Sequence, residues 1–227
     1  MFPLRDTIPS KRTPIVVWVI ILVNVLAFLH ELQLPEDARN ELIDRFAVVP
    51  IRLDLQPRAF FHAPQDYLTL VTSMFLHGSL LHVLGNLWTL AIFGDNVEDR
   101  MGKLRFLVFY FLCGIVAGAV HVYFNADSPV PTIGASGAIS GVMGAYFVLF
   151  PRARVITLIP LIIYPLFVEL PAYVFLGVWF AAQLMSGTQS LAAPEEPGGV
   201  AFLAHVGGFV AGLALTWPFL KPSKPRA

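Results

Sequence analysis

Two residue classes are scarce in this 227-residue chain: charged residues and cysteine. Charged residues make up 13% of the chain, 15 basic and 15 acidic, whereas an average globular domain has about a quarter. The zero net charge excludes a basic nucleic-acid-binding surface, and the 56% of apolar residues excludes an intrinsically disordered chain. Cys113 is the only cysteine, so a disulfide framework and a cysteine-based zinc site are also excluded.

The few charged residues leave long stretches of the chain without any charge. Most are long enough to cross a bilayer core of about 30 Å as a helix. There are seven of them, at 13–30, 67–94, 106–126, 128–151, 155–168, 170–194 and 197–220. The fifth is short and contains Pro160 and Pro165, so we expect an interfacial or re-entrant connector on the cytoplasmic side at 155–167.

The remaining six stretches predict an all-α, polytopic membrane protein that forms a single domain over residues 1–227. Its six transmembrane helices are predicted at about 13–32, 77–94, 104–125, 135–151, 168–186 and 201–219. No small-residue cleavage site follows the first stretch, which favours a retained helix over a signal peptide.

The basic residues are divided unevenly between the two sides of this arrangement. Six spans place eleven on the cytoplasmic side: Arg5, Lys11, Arg12, Arg100, Lys103, Arg105, Arg152, Arg154, Lys221, Lys224 and Arg226. Four lie on the outer side: Arg39, Arg45, Arg52 and Arg58. The positive-inside rule therefore favours six spans over seven, with both ends of the chain cytoplasmic. The small size and the absence of a transit-like segment predict a bacterial plasma membrane.

The loop after the first helix, at 35–66, is too polar to span the membrane. Its part 46–61 mixes apolar residues with isolated arginines and prolines, which suits an element lying in the outer interface.

A few strongly polar side chains lie inside the predicted helices. Each is costly in lipid and therefore indicates a hydrogen-bonding partner or a functional role. They are His77, His82 and Asn86 in the second helix, His121 in the third, Ser136 and Ser140 in the fourth, and His205 in the sixth. The second, fourth and sixth helices all run inward from the outer side. We therefore expect His82, Ser136 and His205, each near the start of its helix, to share one depth below the outer surface.

This combination predicts nucleophilic catalysis. A serine needs a base to take its proton, and His205 can serve if the fourth and sixth helices touch. Glycine pairs permit that contact, namely Gly137/Gly141 and Gly208/Gly212, and a third pair is Gly114/Gly118. No acidic residue lies near that depth in these helices, so the sequence predicts a dyad.

Acyl transfer also needs donors for the developing oxyanion. His82 and Asn86 are four residues apart and share a helix face, and both can donate. The backbone N–H of Ser136, at the start of a helix, is a third donor.

These motifs resemble those of rhomboid intramembrane serine proteases. The chain has His82-Val-Leu-Gly-Asn86 for the HxxxN motif, Gly134-Ala-Ser136-Gly137 for GxSG, and Ala204-His205 followed by glycines. Glu98 and Gly102 fit the turn after the second helix, where we expect a structural role. The resemblance covers about residues 69–215.

The resemblance implies a six-helix rhomboid-like bundle that cleaves transmembrane protein substrates in the lipid bilayer without a cofactor. By the same resemblance Ser136 is the nucleophile, His205 the general base and acid, and His82 with Asn86 the oxyanion hole, while Gly134 and Gly137 belong to the active-site loop. The chain departs from the family where the first loop lacks a Trp-Arg pair and where Ser140 replaces an aromatic residue. A hydrogen bond from Ser140 or a water is our hypothesis for what orients His205.

Other functions fit the sequence less well. A metalloprotease of the HExxH type is excluded because no second histidine follows His30-Glu31 at the required spacing. An intramembrane aspartyl protease needs two buried aspartates, and Asp95 stands alone at a helix end. A rhomboid-like protein that escorts membrane helices without cleaving them stays open as the alternative, followed by a transporter or proton channel. The sequence does not define the oligomeric state.

Overall fold

The computed structural model describes residues 1–53, 64–161, 164–190 and 201–221, and these are mostly helical. The α-helices in these ranges are α1 (Ile15–Gln33), α2 (Glu36–Phe46), α3 (Pro64–Thr72), α4 (Leu80–Met101), α5 (Lys103–Phe124), α6 (Ser136–Leu149), α7 (Ala172–Ser190) and α8 (Phe202–Phe219). Short 3-10 turns occur at Pro50–Arg52 and Ser73–Phe75.

Two helices begin later than the sequence predicts. α4 begins at Leu80 rather than near residue 77, because the Ser79 hydroxyl accepts the backbone N–H of His82 and caps the helix there. α7 begins at Ala172 rather than near 168, because the preceding residues belong to a β-strand.

Three helices of the described residues are long and apolar enough to cross a membrane: α1, α5 and α8. A fourth span is obtained if Pro64–Phe75 and α4 count together, although they are bent by 84°. α6 is apolar but has 14 residues. At 1.5 Å per residue its length is roughly 21 Å, which is shorter than a bilayer core of about 30 Å. The predicted count of six spans therefore stays a prediction.

The faces of α1 are arranged as in a membrane helix. Its buried side includes two polar residues, Asn24 and Glu31, while Trp18, Leu22 and Leu26 on its other side are exposed. An apolar exterior around polar interior groups is the arrangement expected in lipid. The protein is a membrane protein.

A three-stranded antiparallel sheet is the part of the fold that the sequence prediction misses. Its order is β1 (Phe2–Asp6), β2 (Arg154–Pro160) and β3 (Pro165–Pro171). The predicted all-α class omits these strands, whereas the predicted connector at 155–167 consists of the hairpin of β2 and β3, and its position at the membrane interface stays a prediction. Pro160 and Pro165 pair at the end of the ladder, where a proline removes few hydrogen bonds from a sheet.

Asp6 at the end of β1 fastens this sheet to the helices. Its carboxylate accepts hydrogen bonds from the Tyr146 hydroxyl of α6 at 2.5 Å and from the Asn96 amide of α4 at 3.0 Å. Burial raises the pKa of Asp6, and the Tyr146 hydrogen bond acts in the opposite direction. The sheet is thereby held against α4 and α6.

The predicted cytoplasmic segments meet at this same end of the bundle. The Asp99 carboxylate accepts a hydrogen bond from the Lys11 backbone N–H. The backbone carbonyl oxygen of Asp99 accepts a hydrogen bond from Lys221 Nζ at 2.8 Å. Arg105 donates to the Leu220 carbonyl oxygen. Lys224 and Arg226 lie outside the described residues.

Glu98 caps α1 from the neighbouring helix. Its carboxylate accepts the backbone N–H groups of Val16 at 3.2 Å and Val17 at 2.9 Å, at a helix start where no side chain of the local sequence forms a cap. Gly102 has a φ of 84° and joins α4 to α5. These contacts agree with the structural role predicted for this turn.

We expect Glu98→Ala to lower the free energy of unfolding by roughly 2 kcal/mol, the scale of a hydrogen bond to a charged group. The measurement is the unfolding midpoint in detergent, with Glu41→Ala on the exposed face of α2 as the matched control. Equal midpoints for the two variants would show that Glu98 does not cap α1.

The first loop folds onto the opposite end of the bundle. Val48 and Thr132 form an isolated antiparallel bridge, and Thr72 donates a side-chain hydrogen bond to the Phe46 carbonyl oxygen at 2.8 Å. The predicted interfacial element at 46–61 lies partly outside the described residues, which resume at Pro64. The described part is attached to the chain that leads into α6.

Candidate active site

A cavity of about 760 Å³ lies at the end of the bundle remote from the sheet. Its lining includes His82, Asn86, Ser136 and His205, together with Gly134. The structure thus gathers into one cavity residues that the sequence distributes over three helices.

Close packing of α6 against α8 brings two of these residues together. A Cβ atom on Gly208 would overlap the Gly137 carbonyl oxygen, and one on Gly212 would overlap that of Gly141. Only glycine allows the two backbones to approach this closely. The predicted contact between these helices is confirmed.

Ser136 and His205 face each other across this helix pair. The distance from His205 Nε2 to Ser136 Oγ is 2.8 Å, within hydrogen-bond reach. Ser136 is the first residue of α6 and follows Gly134, whose φ of 126° is accessible to glycine but strained for other residues. The Gly134 N–H donates to the Ser73 carbonyl oxygen at 2.9 Å, which fixes the loop before the helix.

A residue that the sequence prediction overlooks holds the other side of the His205 ring. Nδ1 of His205 lies 2.6 Å from Oε1 of Gln183 on α7. The hypothesis that Ser140 orients His205 is wrong, because the Ser140 hydroxyl donates to the Ser136 carbonyl oxygen at 2.6 Å. Gln183 lies inside the predicted fifth helix, so the rule that a polar residue in a membrane helix needs a partner could have identified it.

The aromatic neighbour of His205 also comes from α7. The Trp179 ring centroid lies 6.0 Å from that of His205 at an interplanar angle of 34°. Trp179 is one turn before Gln183, so one face of α7 supplies both groups. An aromatic ring is therefore present beside His205 although Ser140 stands at the position where the family pattern has one.

The two oxyanion candidates lie against the loop before Ser136. A Cβ on Gly134 would be 2.7 Å from His82 Nε2 and 3.7 Å from Asn86 Nδ2. The predicted shared face of His82 and Asn86 therefore points toward this loop. The N–H groups of the first turn of α6, which have no partner within their own helix, begin at the same place.

His77 lies closer to the site than its predicted position on a helix suggests. It precedes α4 and is buried, with Nε2 at 3.0 Å from Asn86 Nδ2 and its ring 5.0 Å from that of His82. Its backbone N–H donates to the Glu31 carboxylate of α1 at 3.3 Å. Residues 76–79 are not helical, and this conformation brings the His77 ring next to Asn86 and His82.

His121 of α5 also lines the cavity and is hydrogen bonded. Its Nε2 lies 2.9 Å from the Thr132 hydroxyl oxygen. Within the described residues, no group of three or more His, Cys, Asp or Glu side chains is placed to hold a metal ion.

The chain is similar in sequence to known proteins over most of its length. The rhomboid domain family matches residues 64–222, which include the cavity-lining segments of α4, α6 and α8. The chain is 29% identical over 175 residues to RHOMBOID-like protein 12, mitochondrial, from Arabidopsis thaliana, covering 70% of this chain and 48% of that protein.

Two shorter matches are to proteins whose names differ on activity, one called a putative protease and one called inactive. The putative rhomboid protease YdcA of Bacillus subtilis is 35% identical over 81 residues, 36% of this chain and 40% of that protein. Inactive RHOMBOID-like protein 8 of Arabidopsis thaliana is 37% identical over 76 residues, 34% of this chain and 21% of that protein. The chain spans less than half the length of each of these three relatives.

Organellar and bacterial names both occur among these relatives, so the predicted bacterial plasma membrane is not supported over a mitochondrial one. The family match covers more than half of the chain and includes the helices that bring Ser136 and His205 together. The chain therefore belongs to the rhomboid family.

Proposed function

We propose that this protein is an intramembrane serine endopeptidase that cleaves transmembrane segments of membrane-protein substrates by a Ser-His dyad. The observation that carries the proposal is the 2.8 Å contact between His205 Nε2 and Ser136 Oγ inside the cavity. A hydroxyl next to an unprotonated imidazole nitrogen is the arrangement that activates serine as a nucleophile.

In the first half of the reaction, Ser136 Oγ attacks the peptide carbonyl carbon while His205 Nε2 takes the hydroxyl proton. The negative charge moves to the carbonyl oxygen, where His82, Asn86 and the Ser136 backbone N–H stabilise it. His205 then gives the proton to the leaving amine, and the N-terminal part of the substrate remains as an ester on Ser136.

In the second half, water attacks this ester and His205 takes its proton. Collapse of the second oxyanion breaks the ester bond, His205 returns the proton to Ser136 Oγ, and the carboxylic acid product leaves. Water must reach the ester, and we place the cavity on the outer side because the basic segments gather at the other end of the bundle.

A substrate helix must unwind locally before its carbonyl carbon is accessible, because its peptide groups are hydrogen bonded to one another. We propose that Gly, Pro or polar residues near the cleavage site lower this cost. We place the entry path at α7, which carries Gln183 and Trp179 beside the His205 ring. The loop at 191–200, which follows α7, lies outside the described residues.

Reaction with a fluorophosphonate tests the proposed nucleophile without a known substrate. We expect the purified protein to be labelled at Ser136, and His205→Ala to label at least about 100-fold more slowly because its serine has no base. Mass spectrometry of the peptide that contains Ser136 locates the label. His30→Ala, which removes an exposed histidine from α1, is the matched control and should label at the wild-type rate.

A non-proteolytic protein that binds and escorts membrane helices is the alternative, favoured by the similarity to a relative named inactive. The escort hypothesis predicts that the protein binds a single-span substrate but leaves Ser136 unlabelled. Labelling of Ser136 that depends on His205 would exclude it.

A further inference from the structure

His205 is held from two sides, and one of its partners belongs to neither α6 nor α8. Its Nε2 faces Ser136 Oγ at 2.8 Å, and its Nδ1 faces Gln183 Oε1 at 2.6 Å. Trp179 and Gln183 lie one turn apart on α7 and both contact the ring. The orientation of the imidazole therefore depends on α7 remaining against α8.

An acceptor oxygen beside Nδ1 favours one of the two positions of the imidazole proton. A neutral histidine carries one ring proton, and a carbonyl oxygen beside Nδ1 stabilises the tautomer with the proton on that nitrogen. Nε2 then has a free lone pair directed at the Ser136 hydroxyl. In the opposite tautomer Nε2 would donate to Ser136 Oγ and could not take its proton.

We infer that Gln183 is a positioning residue for the proposed reaction, a neutral third member that fixes the Nδ1–H tautomer of His205 and aims Nε2 at Ser136. The inference rests on the proposed function. In serine hydrolases with a triad a carboxylate takes this place. Gln183 supplies the same acceptor without placing a negative charge inside the membrane, which would be costly.

Two substitutions test the acceptor oxygen of Gln183 separately from the size of its side chain. Gln183→Met keeps the length and removes the acceptor oxygen, whereas Gln183→Glu restores an acceptor. Gln189→Met makes the same chemical change at an exposed position of the same helix and serves as the matched control.

We expect Gln183→Met to lower kcat and the rate of fluorophosphonate labelling about 10-fold, equivalent to about 1.4 kcal/mol, with KM changed less than twofold. Gln183→Glu should recover labelling to within about threefold of wild type, and Gln189→Met should match wild type. The protein with ¹⁵N-labelled histidine gives an independent readout. The His205 resonances, assigned by their loss in His205→Ala, should show the Nδ1–H tautomer in wild type and a mixture in Gln183→Met.

Three results would overturn the inference: an unchanged tautomer and rate in Gln183→Met, the Nε2–H tautomer in wild type, or equal losses in Gln183→Met and Gln183→Glu. A wild type that neither labels nor cleaves, but holds the Nδ1–H tautomer through Gln183, would reject the proposed function and retain the contact. If wild type cleaves through Ser136 and the Gln183 variants cleave at the same rate, the proposed function is retained and the role of Gln183 is rejected.

Discussion

Ser136→Ala should reduce cleavage of a single-span substrate in proteoliposomes by about 10⁴-fold or more. The hydroxyl is the group that forms the covalent bond in the proposed reaction, and loss of the nucleophile removes most of the rate enhancement of a serine protease. Initial rates measured at several substrate concentrations give kcat and KM. KM should change little, because the Ser136 hydroxyl contributes little to holding the substrate.

Ser140→Ala is the matched control for this variant. It removes a hydroxyl from the same helix, where the side chain is 1% exposed and donates to the Ser136 carbonyl oxygen. We expect activity within about tenfold of wild type, because this hydroxyl does not contact the His205 ring in the structure. Cleavage by Ser136→Ala at the wild-type rate would reject Ser136 as the nucleophile.

Gly208→Ala should strongly reduce activity and destabilise the protein, although alanine is the better helix former by about 1 kcal/mol. The new Cβ would overlap the carbonyl oxygen of Gly137, which belongs to the backbone of α6 and cannot rotate away. α8 must therefore move outward and carry His205 away from Ser136. We expect kcat to fall at least about 100-fold and the unfolding midpoint to fall as well, since overpacking costs roughly 1–3 kcal/mol.

Gly85→Ala and Gly177→Ala make the same substitution on α4 and α7, where a Cβ meets no atom within 4 Å. Both should keep wild-type activity with unchanged or slightly raised stability. Wild-type activity in Gly208→Ala would contradict the requirement for close contact between α6 and α8.

The cavity-lining residues could be predicted because their signal is local and chemical. His82, Asn86, Ser136 and His205 are polar residues in apolar helices, and helix direction alone predicts that they share a depth. Their spacing also fits motifs of a known family. The structure adds the distance of 2.8 Å between Ser136 and His205, which no sequence pattern supplies.

The missed features depend on contacts between distant segments. β1 pairs with β2 across about 150 residues, and β2 alone reads as a short apolar stretch broken by proline. Gln183 acquires a partner only when α7 packs beside α8. The predicted second helix includes His77, whereas Ser79 caps α4 after it, and the non-helical residues 76–79 bring the His77 ring to Asn86.

An ester between Ser136 and the N-terminal fragment of the substrate distinguishes covalent catalysis from every other way of breaking the peptide bond. Acid quenching of wild-type protein within the first turnover, followed by mass spectrometry of the peptide that contains Ser136, detects it. The proposed mechanism predicts an added mass equal to that of the fragment, located on Ser136 and absent from Ser136→Ala. Complete cleavage with no adduct at any quench time, or an adduct on another residue, would contradict it.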